Sequence, residues 1–204
     1  MITIGISGFI GTGKSTVCSY LVDMGAELID ADSIGHSIYI NGSEPWKEII
    51  THFGHEILDK DKQIDRQKLS ELVFNNFDSL KKLNSIVHPH LKKNILNQIN
   101  NFRSNKSKVV VLEAAMLLQA GWRNLVDEVW TVTSLKDIVL NRIINRGNMD
   151  LNLYESILKS QNYYINEKSG QDTIFDVIIE NNDSMEILRR QVVSLWETRV
   201  SKSR

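Results

Sequence analysis

The octapeptide Gly8-Phe9-Ile10-Gly11-Thr12-Gly13-Lys14-Ser15 carries polyphosphate-binding residue types at the spacing G-x-x-x-x-G-K-[ST]. Gly8, Gly11 and Gly13 let the backbone wrap closely and aim N–H groups at phosphate oxygens. The helix expected next, patterned by Val17, Tyr20, Leu21 and Met24, adds the positive end of its dipole. Lys14 then reaches the β- and γ-phosphates, and the Ser15 hydroxyl is a ligand for Mg²⁺. The whole stretch Gly8–Thr16, with Thr12 and Thr16, is therefore expected to hold ATP with its metal ion. A guanine-reading Asn-Lys-x-Asp is not met, because Asn105-Lys106-Ser107-Lys108 lacks the aspartate. The Leu-Ser-Gly-Gly-Gln of transporter ATPases is only echoed by Lys168-Ser169-Gly170-Gln171. Motor and helicase ATPases are usually longer chains. A small-molecule kinase fits best, beside a kinase of another nucleotide and a non-catalytic ATP-binding switch.

Three further groups of residues have the types that such chemistry needs. Asp30 and Asp32 lie two apart after Leu28-Ile29, on one side if the strand continues that far. A carboxylate there can take a proton from a hydroxyl or hold Mg²⁺ through water. Capping of a following helix explains an aspartate equally well, and spacing alone leaves both readings open. Arg142 and Arg146, four apart, share one helix face. They can bridge phosphates or form a solvated face favoured by the helix dipole. His88, next to Pro89, can cap the following helix or hydrogen-bond within the helical segment.

The elements that must position these residues follow from hydrophobic pattern. Ile2–Ile6, Leu28-Ile29, Val109–Leu112, Val129–Val132 and Val177–Ile179 read as strands, the third apolar enough to be buried on both faces. Trp46, Ile49, Ile50 and Phe53 mark a helix between a Ser43 cap and a Gly54 stop. Leu91, Ile95, Ile99 and Phe102 mark another, which Pro89 can begin. A last helix carries Leu188, Val192, Leu195 and Trp196, with Asp183 and Glu186 spaced like a capping box. Strand and helix alternate, so the fold class is α/β with a mainly parallel sheet. From about Ser33 to Ser107 only helices are expected, an insertion large enough to cover a substrate.

Composition bounds the rest. The 204 residues carry 42% hydrophobic and 24% charged side chains at a net charge of −1, which argues against a nucleic-acid-coating protein. One cysteine makes no internal disulfide. No apolar run nears the roughly 20 residues of a membrane span, and Met1-Ile2-Thr3-Ile4-Gly5-Ile6 shows neither the basic n-region nor the small-residue cleavage site expected of a signal peptide. The expectation is a cytoplasmic protein, monomeric or a small homo-oligomer, with neither nucleic acid nor membrane as partner.

Ser7-Gly8-x-Ile10-Gly11-Thr12-Gly13-Lys14-Ser15-Thr16 followed by Ile29-Asp30-Ala31-Asp32 resembles the opening of dephospho-CoA kinases. The likeness runs on through Phe53-Gly54, Ile64-Asp65-Arg66-x-x-Leu69, Val73-Phe74, Leu83-Asn84-x-x-Val87-His88-Pro89, Leu117-Leu118 and Ala120-Gly121. It continues in Arg142, Arg146, Gln161 and Asp176–Asn181, nearly the whole chain in order. The resemblance implies transfer of the ATP γ-phosphoryl group to the ribose 3′-hydroxyl of dephospho-CoA, the last step of coenzyme A synthesis. It implies Asp32 as catalytic base with Lys14 and Arg142, Arg146 and Asn181 on the ATP side, and His88 near the CoA-side pocket. It implies a phosphate-loop core with a five-stranded sheet over 1–32 and 106–204, a helical CoA-side subdomain over 33–105, and a lid near 141–171. Phe9, Ala115, Gln119, Gly147 and Gln171 depart from the family pattern and bear on lid and substrate fit.

Overall fold

The structure, a computed structural model, describes residues 1–74, 76–146 and 175–201. Five strands form one parallel sheet in the order β2-β3-β1-β4-β5. They are β1 (Ile2–Ser7), β2 (Glu27–Asp30), β3 (Val109–Glu113), β4 (Glu128–Thr133) and β5 (Val177–Glu180). All five lie where the apolar runs place them. β3 is buried at every residue, as its unbroken Val-Val-Val-Leu run requires of a strand covered on both faces.

The chain divides into two compact units, Met1–Asp30 with Gln98–Arg204, and Ala31–Asn97. In the first unit, α1 (Lys14–Asp23) and α7 (Met185–Leu195) cover one sheet face, with α6 (Lys136–Arg146) following β4. Val17 and Leu21 of α1 and Leu188 and Val192 of α7 join Ile4, Ile6, Val111, Trp130 and Ile179 in one buried cluster. Two aspartates stitch the strand starts together. Asp127 accepts from the Thr3 amide at 2.7 Å. Asp176 accepts from the Val129 amide at 2.7 Å and from Arg123 at 3.0 Å. The aspartate opening the Asp176–Asn181 motif is thus a structural tie between β4 and β5.

The second unit is built from α2 (Ala31–Ile38), α3 (Glu44–Phe53), α4 (Arg66–Phe74) and most of α5 (Phe77–Ser104). Its core joins Ile49, Phe53, Ile57, Ile64, Leu69, Val73 and Ile86. The Ser43 hydroxyl caps α3 through the Trp46 amide at 3.2 Å, and Gly54 ends it at φ 86°, both as expected.

Three local expectations need correction. The strand β2 stops at Asp30, and Asp32 sits in the first turn of α2, so strand alternation does not relate the two carboxylates. Pro89 lies inside α5 instead of beginning it. Upstream Ile86 belongs to the buried cluster and Leu83 and Val87 pack against it, and that packing outweighs the one hydrogen bond a mid-helix proline removes. Both Pro89 and Ser85 are exposed, so water can take the Ser85 carbonyl left without its donor. At α7 the cap is Ser184, which accepts from the Ile187 amide, one residue beyond Asp183.

Candidate functional site

The loop between β1 and α1 is set by what surrounds its glycines. Gly8, at φ 144°, lies so close to the Val132 carbonyl of β4 that a Cβ has no room. Gly13 caps α1 at φ 102°, and the space its Cβ would fill belongs to the Asn181 amide. A Cβ at Gly11 would meet Val139 at 2.7 Å, which shows how tightly α6 is seated on the loop. The hydroxyl of Thr12 is buried and donates to the Phe9 carbonyl at 2.8 Å. The Lys14 ammonium donates to the same carbonyl at 3.2 Å. No side chain caps the start of α1, so the dipole end and first-turn amides serve an incoming anion.

The residue missed in the sequence is Glu113. It closes β3 and is buried, and it accepts a hydrogen bond from Ser15 Oγ at 2.8 Å. In the sheet register Glu113 lies beside Ile6 of β1 and Asp30 of β2, which sets it between the loop and the second strand's end. The available signal was a charge ending an otherwise wholly apolar, doubly buried strand. Such a charge needs a partner or an ion. The donor set of a hydroxyl and a carboxylate consists of hard oxygens, the chemistry that suits Mg²⁺. Cys18, one turn into α1, hydrogen-bonds the same carboxylate. Its own burial first, and then the Glu113 charge, hold the thiol far above its usual range, so it is no nucleophile.

Arg142 and Asn181 form a brace beneath the loop. The Arg142 guanidinium donates to Asn181 Oδ1 at 3.2 Å, to its backbone carbonyl at 3.0 Å and to Ser134 Oγ at 3.3 Å. The Asn181 amide nitrogen in turn donates to the Thr12 carbonyl at 2.8 Å. The structure therefore brings Gly8, Gly11, Thr12, Gly13, Lys14, Ser15, Thr16, Arg142 and Asn181 into one constellation within the first unit, with Glu113 added. The Arg146 side chain, and with it Gly147, Gln161, Gln171 and most of the expected lid, lies outside the described residues.

Asp32 and His88 belong to the second unit. Asp32 is exposed, two residues past the end of β2. His88 is half-buried on α5, and burial pushes its imidazole below the usual value of 6.5. The unfolded chain therefore protonates first as pH falls. Above about 6.5 both forms are neutral and no penalty exists; below it stability drops until the folded value is passed. Thermal unfolding midpoints between pH 7.5 and 5 should fall less steeply in His88→Gln than in the parent, and equal slopes would remove His88 as the source.

The chain is similar to known proteins along nearly its whole length. A family model described as dephospho-CoA kinase matches residues 2–186. The dephospho-CoA kinase of Fusobacterium nucleatum is 39% identical over 96% of this chain and 97% of its own. That of Dehalococcoides mccartyi is 36% identical over 97% of both chains. The solved structure of dephospho-CoA kinase from Campylobacter jejuni superposes with a TM-score of 0.68 at 26% identity, over 99% of this chain and 98% of that one.

Proposed function

The chain belongs to the dephospho-CoA kinase family, and from that premise we propose which of its residues perform the transfer. The reaction moves the γ-phosphoryl group of ATP to the ribose 3′-hydroxyl of dephospho-CoA, giving CoA and ADP. The observation that carries the reading is the Ser15–Glu113 pair set beneath a glycine loop whose following helix has no side-chain cap.

The loop amides and Lys14 bind the ATP phosphates and neutralise charge as it shifts toward the leaving β-phosphate. Mg²⁺, when bound with ATP, would supply charge neutralisation to the phosphates; Ser15 and Glu113 are the residues that would hold it. Asp32 orients the acceptor hydroxyl and takes its proton as the oxygen attacks phosphorus. Arg142 acts through Asn181, fixing the Thr12 carbonyl and with it the loop's curvature, while adding positive charge beside the phosphates. His88 and the second unit serve the CoA side. Both substrates are small soluble anions, so the chemistry requires neither nucleic acid nor membrane. Among the described residues no helix is long and apolar enough to cross a bilayer.

An ADP-release assay with Mg-ATP and dephospho-CoA tests the reading, with the product mapped for phosphate at the 3′-hydroxyl. Preference for any nucleoside monophosphate over dephospho-CoA would overturn it. Glu113→Gln probes the metal separately. The amide keeps an acceptor for Ser15 but loses the charge, so the Mg²⁺ concentration giving half-maximal activity should rise by about 10- to 100-fold. Excess Mg²⁺ should restore most of the rate, and an unchanged Mg²⁺ titration would exclude Glu113 from metal binding.

A further inference from the structure

The end of the sheet opposite the phosphate loop holds a second concavity, one that phosphoryl transfer does not use. It is a cavity of about 1090 Å³ at the starts of β1 and β3, walled in part by Ile2, Met24 and Trp196. That is roomy enough for a small-molecule ligand. Arg103, Lys106 and Lys108 stand around it, all three exposed.

These cations are poorly neutralised. Among the described residues neither lysine ammonium is paired with a carboxylate. Arg103 donates to the neutral Asn100 amide oxygen at 3.3 Å. The one carboxylate on the wall, Asp127, is engaged by the Thr3 amide at 2.7 Å. The helix dipole accounts for part of the charge: Arg103 lies in the last turn of α5, where a cation is favoured, whereas Lys106 and Lys108 follow the helix end. Lys106 also holds φ 61°, a left-handed position closing α5 where glycine is the unstrained choice.

We propose that this cavity is a second ligand site, taking a phosphorylated molecule of nucleotide size. Its phosphates meet Arg103, Lys106 and Lys108, and its aromatic or apolar body rests against Trp196 and Met24. Three separated cations suit a multiply charged anion, and the indole and thioether supply a polarisable surface for a ring.

Calorimetric titration with ADP tests this, with inorganic pyrophosphate as the bodiless control. The parent protein should show a second binding event beyond that of the phosphate loop. Lys106→Glu combined with Lys108→Glu should weaken that event by about tenfold or more while leaving kcat and KM for both substrates within about twofold. Pyrophosphate should bind there about tenfold more weakly than ADP, because the ring contacts are missing. A single event in the parent, a second event that survives charge reversal, or pyrophosphate matching ADP would each overturn the proposal. The milder pair Lys106→Gln and Lys108→Gln should give a smaller loss in the same direction, and it decides the matter if the glutamates lower turnover.

Discussion

Asp32→Asn should bind ATP within about twofold of the parent while turnover with dephospho-CoA falls by a factor of about 100 to 10,000, the range for removing a positioned general base. The ATP term should hardly move because the loop, Lys14, Asn181 and Glu113 all belong to the first unit and hold their geometry through their own hydrogen bonds. Stability should hardly move either. Asp32 is exposed in the first turn of α2, and asparagine keeps the size of the side chain and one of its oxygens, so the fold loses little. The amide keeps an oxygen that can accept from the acceptor hydroxyl but cannot carry its proton away. The rate should therefore fall in kcat more than in the KM for dephospho-CoA. Calorimetry of ATP binding beside steady-state kinetics separates the outcomes. A loss under about tenfold would relieve Asp32 of the proton, and Asp30, which ends β2 beside Glu113, would be the next carboxylate to substitute. Loss of ATP binding in step with turnover would instead mean that Asp32 supports the loop.

What could be read from the sequence depended on how local the determining interaction is. The glycine loop is local: eight consecutive residues specify both the turn and its ligand, so its place and chemistry were legible. The five strands were legible because each is a short apolar run in a parallel sheet, buried enough to need no alternation. Glu113 was only half legible: a charge ending an apolar strand signals the need for a partner, but the partner, Ser15, lies 98 positions away. Asn181 was placed on the ATP side, but its contact with Thr12 spans 169 positions, and only the fold shows that it braces the loop from below. Pro89 misled for the complementary reason. A local rule that starts helices at proline was overruled by Ile86, which joins Ile49 and Phe53 in one buried cluster, and by Leu83, which packs against it, a tertiary effect no window of sequence contains. The one-residue shift from Asp183 to Ser184 at the cap of α7 is smaller in kind, since both residues have capping oxygens and the choice is made by where the chain leaves β5.

Lys14→Met should lower kcat by about 100- to 1,000-fold, the loss typical of removing one charge-stabilising donor at the reacting centre, and Lys14→Arg should not restore it. Methionine keeps the length and apolar stem of the side chain, so the start of α1 and the packing of Val17 and Leu21 behind it are undisturbed. What disappears is a compact ammonium that already lies against the Phe9 carbonyl at 3.2 Å, inside the curve of the loop. Arginine retains the charge but spreads it over a planar fork on a longer stem, built for bidentate contacts from outside and not for the inner turn of a tight loop. The room there is limited, since Asn181 fills the space beside Gly13 and Val139 that beside Gly11. Charge alone is therefore predicted to be insufficient. The defect should also differ from that of Glu113→Gln, which excess Mg²⁺ relieves. In the proposed mechanism Lys14 meets the phosphates directly, and added metal cannot replace a donor fixed to the protein. Mg²⁺ titrations of Lys14→Met, Lys14→Arg and Glu113→Gln in parallel would separate the two functions. Rescue of a Lys14 variant by metal, or full activity of Lys14→Arg, would assign this lysine to general electrostatics and not to the transferring phosphoryl group.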